Sequence, residues 1–560
     1  MPSFSGITIA LQAVLAHQQA LEVIQHNVAN ASVPGYHRQE AVLRAGPTQG
    51  APGLQASTLA GKVGTGVILQ SIRRYSMDYM DSRYRLEQAN LKRYDIETEF
   101  LKQVESALME TGTEGINAKL DAFWAGWKAV STDPESTALR ANLLEQGRGL
   151  ARAFNGRMER LYEIQQDTNL KIIQNVQEIN QLAEQVARLN REIGRYANQG
   201  MQPNDFLDEQ AEYLDRFAEL ANAKIVREDN GQVMVSIGGH VLVQGISVHK
   251  LETVVNGANE NMIDIRWEDG QYLYRYSEDN EYLEKYINSG ELAGLFEIRD
   301  VIIRDEKDKL NELATTVFTN VNELHRQGFG LDDPTPVPDY VTYPGTGFPP
   351  GYPYPPDNPI GRDFFTLSDV SPQSGWLPTP PYVAAPPPPP PVTPPLDMTK
   401  IATLIRVNPE LTARDVGAAQ DPEVSGDGRI AEALFGLQTA TDTKIYTPNP
   451  SYDPALYNPS DPTTFPYLDT GIVDNINHHN EDRVAELALT IRRIDTLSVQ
   501  HKNLVDVMKQ QRDSVNGVSL DEEAANMVKY QRSYQASIRM LTTVDEMLDR
   551  IINNMGLVGR

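Results

Sequence analysis

The sequence contains no cysteine. Disulfides, thiolate nucleophiles and thiolate metal sites are therefore excluded. The absence says nothing about compartment, though it suits a chain that must stay unfolded during export. Basic charge is also scarce, with 50 Lys and Arg against 76 Asp and Glu for a net charge of −26. Phosphate binding needs a basic surface, so a nucleic-acid partner is a poor fit. The acidity reads instead as solubility and resistance to premature association. Long apolar runs are missing too: no stretch reaches the roughly 18 consecutive apolar residues of a membrane span. A secretory signal peptide opens with a basic segment before a continuous apolar core. Here no Lys or Arg precedes Arg38, and Gln12, His17, Gln18 and Gln19 interrupt the apolar residues.

Catalytic patterns are equally thin. There is no H-E-x-x-H, no P-loop and no G-x-S-x-G elbow. His478 and His479 are adjacent, so on a helix they point about 100° apart and cannot share a metal as an i, i+4 pair can. Gly61-Lys-Val-Gly64-Thr-Gly66 has the wrong glycine order for a phosphate loop, and strand-like Val67–Ile72 follows it, so it reads as a turn into a strand. Carboxylates are plentiful, but linear sequence cannot pair them into an acid/base site. No catalytic residue, metal ligand set or cofactor is expected.

What is present is helix. The 560 residues, 40% of them hydrophobic, are enough for roughly three or four domains. Ile7 to Ala29 reads as a helix, with apolar or amide residues at Ile7, Leu11, Val14, Gln18, Leu21, Gln25 and Val28. The last 41 residues repeat this 4-3 spacing at Leu520, Ala524, Met527, Gln531, Tyr534, Ile538, Leu541, Asp545, Leu548, Ile552 and Met555. A sustained period near 3.5 favours a coiled-coil seam, and two such helices at opposite ends suggest mutual pairing. Further helices are expected over Met77–Leu108, around the Ile172–Tyr196 heptad stripe, over Ile302–Leu324, and from about His478 to the end. Two hairpins are read at 232–244 and 263–276, each with alternating residues around a glycine-containing turn.

The remaining stretch differs in composition. Thirty of the 36 prolines fall between Pro334 and Pro466, and residues 331–477 carry 18 acidic against 6 basic side chains. Pro386–Pro391 has to adopt polyproline II, about 19 Å long. A ligand for a proline-binding groove and a semi-rigid spacer are both compatible with it. The segment is expected to be dispensable for the core fold.

The N-terminal helix runs into Asn27-Val-Ala-Asn30-Ala-Ser-Val-Pro34-Gly35-Tyr36-His-Arg38-Gln39. Asn30 can end a helix in the left-handed region, Pro34 forces Val33 to be extended, and Pro-Gly makes a tight turn. This wording resembles the signature of the flagellar rod, hook and hook-associated proteins, with Val33 where Thr is usual. The C-terminal Val518-Ser-Leu-Asp-Glu-Glu-Ala524, Tyr530-Gln531-x-x-Tyr534-Gln-Ala536 and Thr543-x-Asp545-Glu-Met547-Leu548 look like the matching end of the same family. Internal segments are similar to its hook-associated members: Phe123-Trp-Ala-Gly-Trp127 with Asp133-Pro134 and Leu139-Arg140; Pro203–Asp208; Ser289–Leu295 with Arg299-Asp300; and Asp363-Phe-Phe365. The resemblance covers residues 1–330 and about 400–560.

The resemblance implies a structural subunit joining hook to filament, with a hook or distal-rod subunit as the alternative. A different class, an enzyme or adhesin displayed in 331–477, stays open. Export through the flagellar type III apparatus without a cleaved signal is implied, to an extracellular place on the flagellum. Implied partners are further copies in a ring, hook subunits, hook-associated protein 3 and a cytoplasmic export chaperone on the C-terminal helix. The implied assembly interface comprises Ile7, Leu11, Val14, Leu21, Val28, Leu520, Met527, Tyr534, Ile538, Leu541, Leu548 and Ile552. The motif positions are Asn27, Asn30, Pro34, Gly35, Tyr36, Tyr530, Gln531 and Asp545. The expected fold is α+β and multidomain, a long-helix bundle or coiled-coil core formed by both termini with an inserted β-rich outer domain. Expected divisions are 1–60 with 515–560, 61–200 with 289–330 and 478–514, 201–288, and 331–477.

Overall fold

The computed structural model describes residues 3–47, 64–108, 115–276, 287–331, 363–367, 401–421, 424, 426–449 and 467–554. Pro386–Pro391 and Gly61–Val63 lie outside these residues. The fold is α+β, with long helices at both ends and several small antiparallel sheets. The chain divides into two compact units, 1–96 with 171–295 and 496–560, and 97–170 with 296–495.

In the first unit, α1 (Ser3–Asn30) lies antiparallel to α11 (Leu520–Asn554). The register is fixed at three points. A methyl on Gly6 would sit 3.5 Å from Val544, His17 and Tyr530 have ring centroids 6.0 Å apart, and Asn27 donates to Glu523 at 3.1 Å. No glycine or proline interrupts residues 7–33, which lets α1 run seven turns. Gly6–Asn30 is also long and apolar enough by composition to cross a membrane. The test of consecutive apolar residues missed this because Gln and His break the run; in this fold the helix packs on α11. Strands β1 (Gln39–Ala45) and β2 (Val67–Arg74) form an antiparallel hairpin. It contributes Ala41, Leu69 and Ile72 to a small core with Ala20, Val23 and Tyr530.

Two sheets complete this unit: β3–β6 (Ala223–Arg227, Val233–Ile237, His240–Gln244, Ser247–Val248) and β7–β9 (Leu251–Asn256, Met262–Trp267, Tyr272–Tyr274). Both expected hairpins are there. Gly238 and Gly239, at φ +58° and +88°, make the tight turn between β4 and β5. Gly290 ends the segment at φ +85°, donates to Ala89 O at 2.9 Å, and leaves no room for a side chain, since a Cβ would lie 2.7 Å from the backbone N and Cα of Ala221. Gly290→Ala should therefore cost about 2–4 kcal/mol, combining left-handed strain with overpacking against a backbone that cannot yield. A lowered urea midpoint with unchanged slope is the expected signature.

The second unit is built around aromatic rings. Phe123, Trp124 and Trp127 of α3 (Ile116–Thr132) are fully buried. Phe364 lies 5.4 Å from Trp127 and 5.5 Å from both Phe123 and His325 of α7 (Ile303–His325). Gly147 of α4 (Thr137–Ala197) makes space for Phe364, whose ring would meet a Cβ there at 2.7 Å. The buried guanidinium of Arg140 donates to Pro134 O at 2.7 Å and Val416 O at 2.5 Å. Arg299, in a π-helical segment Glu297–Ile302 between α6 (Glu291–Phe296) and α7, is fully buried against Asp300 and Asn169. Three of the sequence segments quoted above as resemblances, 123–127, 133–140 and 363–365, thus lie in the same core.

The structure overturns one expectation here. The described parts of 331–477 are packed into the core, which removes the ground for expecting them to be dispensable. Strands β10 (Phe365–Leu367) and β11 (Ile405–Val407) pair, α8 (Ile401–Leu404) and α9 (Arg429–Gly436) pack on α7, and β12 (Lys444–Pro448) lies on α7 with β13 (Tyr467–Val473) beside it. Phe364, Phe365, Leu367, Ile401, Ile405, Ile430, Leu434 and Ile445 are all core residues. The proline count hid short apolar clusters that need a helix face to cover.

Strands meet helices through a recurring device. Four helix-borne asparagines each accept from the N–H and donate to the C=O of one residue in a strand. They are Asn27 with Gln39 (3.0 and 2.8 Å), Asn180 with Leu251, Asn190 with Val233, and Asn322 with Phe365. Thr316 does the same for Tyr446 through its hydroxyl. A side-chain amide presents the same donor and acceptor pair as a neighbouring strand, so buried backbone groups at a sheet margin stay satisfied.

A polar clasp between the two chain ends

The candidate functional site is the junction of the N-terminal motif with the start of α11. The helix α1 ends in a loop stabilised by Val33 N–H donating to Asn30 O at 2.9 Å and Tyr36 N–H to Val33 O at 3.3 Å. The residue with positive φ is Gly35, at +78°, and not Asn30 as the sequence suggested. Asn30 stays within the helix and its amide donates to His26 O at 3.0 Å. The two residues share the work of turning the chain: an i−4 side-chain bond closes the last helical turn, and the flexible glycine takes the left-handed step.

The loop then delivers Asn27, Tyr36, Arg38 and Gln39 to one place. Asn27 is fully buried; besides Gln39 it contacts Tyr36 Oη, which donates to its Oδ1 at 2.8 Å, and Glu523 Oε2. Burial, reinforced by the carboxylates of Asp208, Asp205 and Glu523, raises the Tyr36 pKa, so the phenol remains a donor. Arg38 places Nε 2.8 Å from Glu523 and Nη1 2.7 Å from Glu522. Burial works against its charge, but the two glutamates outweigh it and the pKa rises. Its backbone N–H donates to Asn516 O at 2.8 Å, the last residue of α10 (Ile476–Asn516). Glu523 is 2% exposed, so its carboxylate depends on these partners.

From the other side, α5 (Asn204–Leu220) holds the same loop. Asp208 accepts from Arg74 Nε at 2.5 Å and lies 2.8 Å from His37 Nδ1. Asn204 donates to the Gln39 side chain and to Ile72 O, both at 3.1 Å. Asn27, Tyr36, Arg38, Gln39, Asp208 and Glu523 are thus tied to partners across the two chain ends, while Asn204 Oδ1 stays buried without a hydrogen-bond partner.

The sequence-derived positions divide. Ile7, Val14 and Leu21 are half-buried, whereas Leu11 and Val28 are exposed. The buried seam of α1 runs through Ala10, Ala20, Ile24 and Asn27, one position away from the expected stripe, because alanines let α11 approach closely. On α11, Met527, Tyr534, Ile538, Leu541 and Leu548 are half-buried, Leu520 is exposed, and the side chain of Ile552 lies outside the described residues. Of the motif positions, Tyr530 packs on Ala20 and Val23, while Pro34, Gln531 and Asp545 are exposed. Sequence reasoning did not select Arg38, Glu522 or Glu523 as site residues. The signal was an acidic pair in the first turn of the last helix with a lone arginine in the opposing motif. His478 also has company: its Nδ1 lies 3.3 Å from Asp474 and 3.7 Å from Asp482, and the three ligand atoms fall within 4.8 Å of one another.

Comparison with known proteins agrees with these motifs. Residues 101–336 match the family described as the flagellar hook-associated protein FlgK helical domain, and residues 509–555 match the flagellar basal body rod FlgEFG protein C-terminal family. The chain is 25% identical to flagellar hook-associated protein 1 of Bacillus subtilis, over 100% of this chain and 99% of that protein. It is 23% identical to the protein of the same description in Salmonella typhimurium, covering 98% and 99%. The solved flagellar hook junction protein FlgK of Burkholderia pseudomallei aligns over 45% of this chain and 44% of that one, at 19% identity and a TM-score of 0.39, too loose to carry a conclusion. These matches, one across the helical middle and one at the C-terminal end, mark the class of protein the chain resembles, the structural components of the bacterial flagellum. Over nearly its whole length the chain is similar to flagellar hook-associated proteins.

Proposed function

We propose that the chain is the structural subunit joining hook to filament, acting by helical packing between neighbouring subunits and without a catalytic role. The observation that carries this is the clasp. It aligns α1 and α11 side by side yet leaves Leu11, Leu15 and Val28 on one helix and Leu520, Val528, Met540 and Met547 on the other facing solvent. Apolar residues exposed along paired helices need further helices to cover them, and copies of this chain in a ring supply them. Hook subunits below, hook-associated protein 3 above, a chaperone on α11 before export, and type III export without a cleaved signal complete the reading. The division of the chain read from its sequence belongs to the same proposal, except that the described parts of 331–477 join the helical core instead of standing apart. The full-length similarity to hook-associated protein 1 favours this over a hook or distal-rod subunit.

Imaging a strain that lacks the gene tests the place in assembly. The expected result is a hook without filament and flagellin shed to the medium; normal filaments would refute the proposal. Leu541→Asp tests the seam. A fully buried leucine contributes roughly 1.5–3 kcal/mol and Leu541 is half-buried, so the isolated chain should lose only about 1 kcal/mol. In the assembly, where neighbours bury the position, every copy carries an unpaired charge, and filament growth should fail. Glu546→Asp, at an exposed site, is the control; swimming at wild-type speed by the Leu541→Asp strain would rule out the seam.

A further inference from the structure

The α1–α11 pair contains a titratable group that the rest of the clasp does not serve. His17 lies between the two helices, its ring tilted 39° to that of Tyr530, and its Nδ1 is buried without a hydrogen-bond partner. One turn on, Ala20 is fully buried, with Val23 and Tyr530 beside it. The charged groups around this stretch are already engaged. From α11, Glu523 is held by Arg38 and Asn27, and Lys529 lies over the Tyr530 ring at 5.5 Å. From β1, Glu40 accepts from Arg73 and Tyr75. On α1 itself, Glu22 accepts from Gln18. None of these carboxylates bonds the imidazole, and Lys529 carries the same sign as an imidazolium.

We propose that His17 makes the pairing of the chain ends acid-sensitive: a proton on its imidazole places an unmatched cation between α1 and α11 and loosens them. Burial alone holds the His17 pKa below the ordinary histidine value of 6.5. The unfolded ends therefore bind the proton more tightly than the folded pair. Stability of the pair is complete above the ordinary value and declines as pH falls from there towards the folded value. The inference stands on the clasp geometry and is independent of which flagellar segment the subunit occupies.

The test uses the full chain. Histidine-labelled NMR titration, with His17 assigned by its absence in His17→Gln, should show His17 titrating below the ordinary value. Amide exchange of 7–28 and 520–548, corrected for intrinsic pH dependence, is compared at about pH 7.5 and about pH 5.5. Wild type should lose about threefold or more of its protection, while His17→Gln loses clearly less. His249→Gln, at an exposed position outside the α1–α11 pair, should keep the wild-type pH response. An ordinary or raised His17 titration, unchanged wild-type protection, or an equal loss in His17→Gln would each overturn the proposal. If His17→Gln does not fold, the assignment passes to His17→Leu and the wild-type titration still decides.

Discussion

Replacing residues 332–475 with a short Gly/Ser linker should abolish the cooperative folding of the second unit. Those residues include Phe364, Phe365, Leu367, Ile401, Ile405, Ile430, Leu434 and Ile445, all buried against α3, α4 or α7. Each contributes roughly 1.5–3 kcal/mol by area, so eight together, about 12–24 kcal/mol, are as large as or larger than the roughly 5–15 kcal/mol that holds a typical domain. The loss also opens the edge-to-face rings of Phe123 and Trp127 to water, removes Phe365 from the Asn322 amide and Asp363 from Arg326, and takes from Arg140 one of its acceptors, Val416 O. Calorimetry should show the transition of this unit vanish, with Trp124 and Trp127 fluorescence shifted to the red. A melt that survives intact would mean that the packing of α3 on α7 suffices.

Asn27→Leu is expected to have the next largest effect, about 3–5 kcal/mol on the helix pair of the first unit. Leucine keeps the branched four-atom skeleton of asparagine but is bulkier, so crowding adds to a loss that comes mainly from chemistry. The N–H and C=O of Gln39 lose both partners, the Tyr36 hydroxyl loses its acceptor, and Glu523 loses one of its two supports. Buried groups left unsatisfied cost about 1–3 kcal/mol each, more when charged. Faster amide exchange should appear in α1, β1 and the first turns of α11 together, since one residue ties all three. Exchange rising in α1 alone would mean that Arg38 closes the clasp by itself. Asn27→Asp is a useful companion: it keeps the acceptor for Tyr36 and the Gln39 N–H but faces Glu523 with a like charge.

The helices were largely legible because their signal is local. Runs without glycine or proline, and apolar positions at 3-4 spacing, specify α1 from Ile7 onward, α7 and α11 before any partner is known, whereas of α4 only the Ile172–Tyr196 stripe was legible, its earlier turns being broken by Gly147, Gly149 and Gly156. The hairpins at 233–244 and 262–274 were legible for the same reason: alternation and a glycine turn are written in adjacent residues. The terminal motif, too, pointed to the flagellar family through a few consecutive residues. Only the tertiary structure decided which face of α1 is buried. Sequence periodicity weighs large side chains, whereas the close approach of α11 selects the small ones, Ala10 and Ala20, and leaves Leu11 and Leu15 outside. It also decided that a proline-rich, acidic segment supplies core residues. Phe364 and Ile445 are apolar points separated by 80 residues, and nothing local marks the helix face that joins them. The same holds for Asn180, Asn190 and Asn322, which read as polar lapses in apolar helices until each is seen satisfying a strand's buried backbone. A residue's hydrogen-bond partner across the fold has no period in the sequence, so pairings such as Arg38 with Glu523, 485 positions apart, exist only once packing has brought the two ends together.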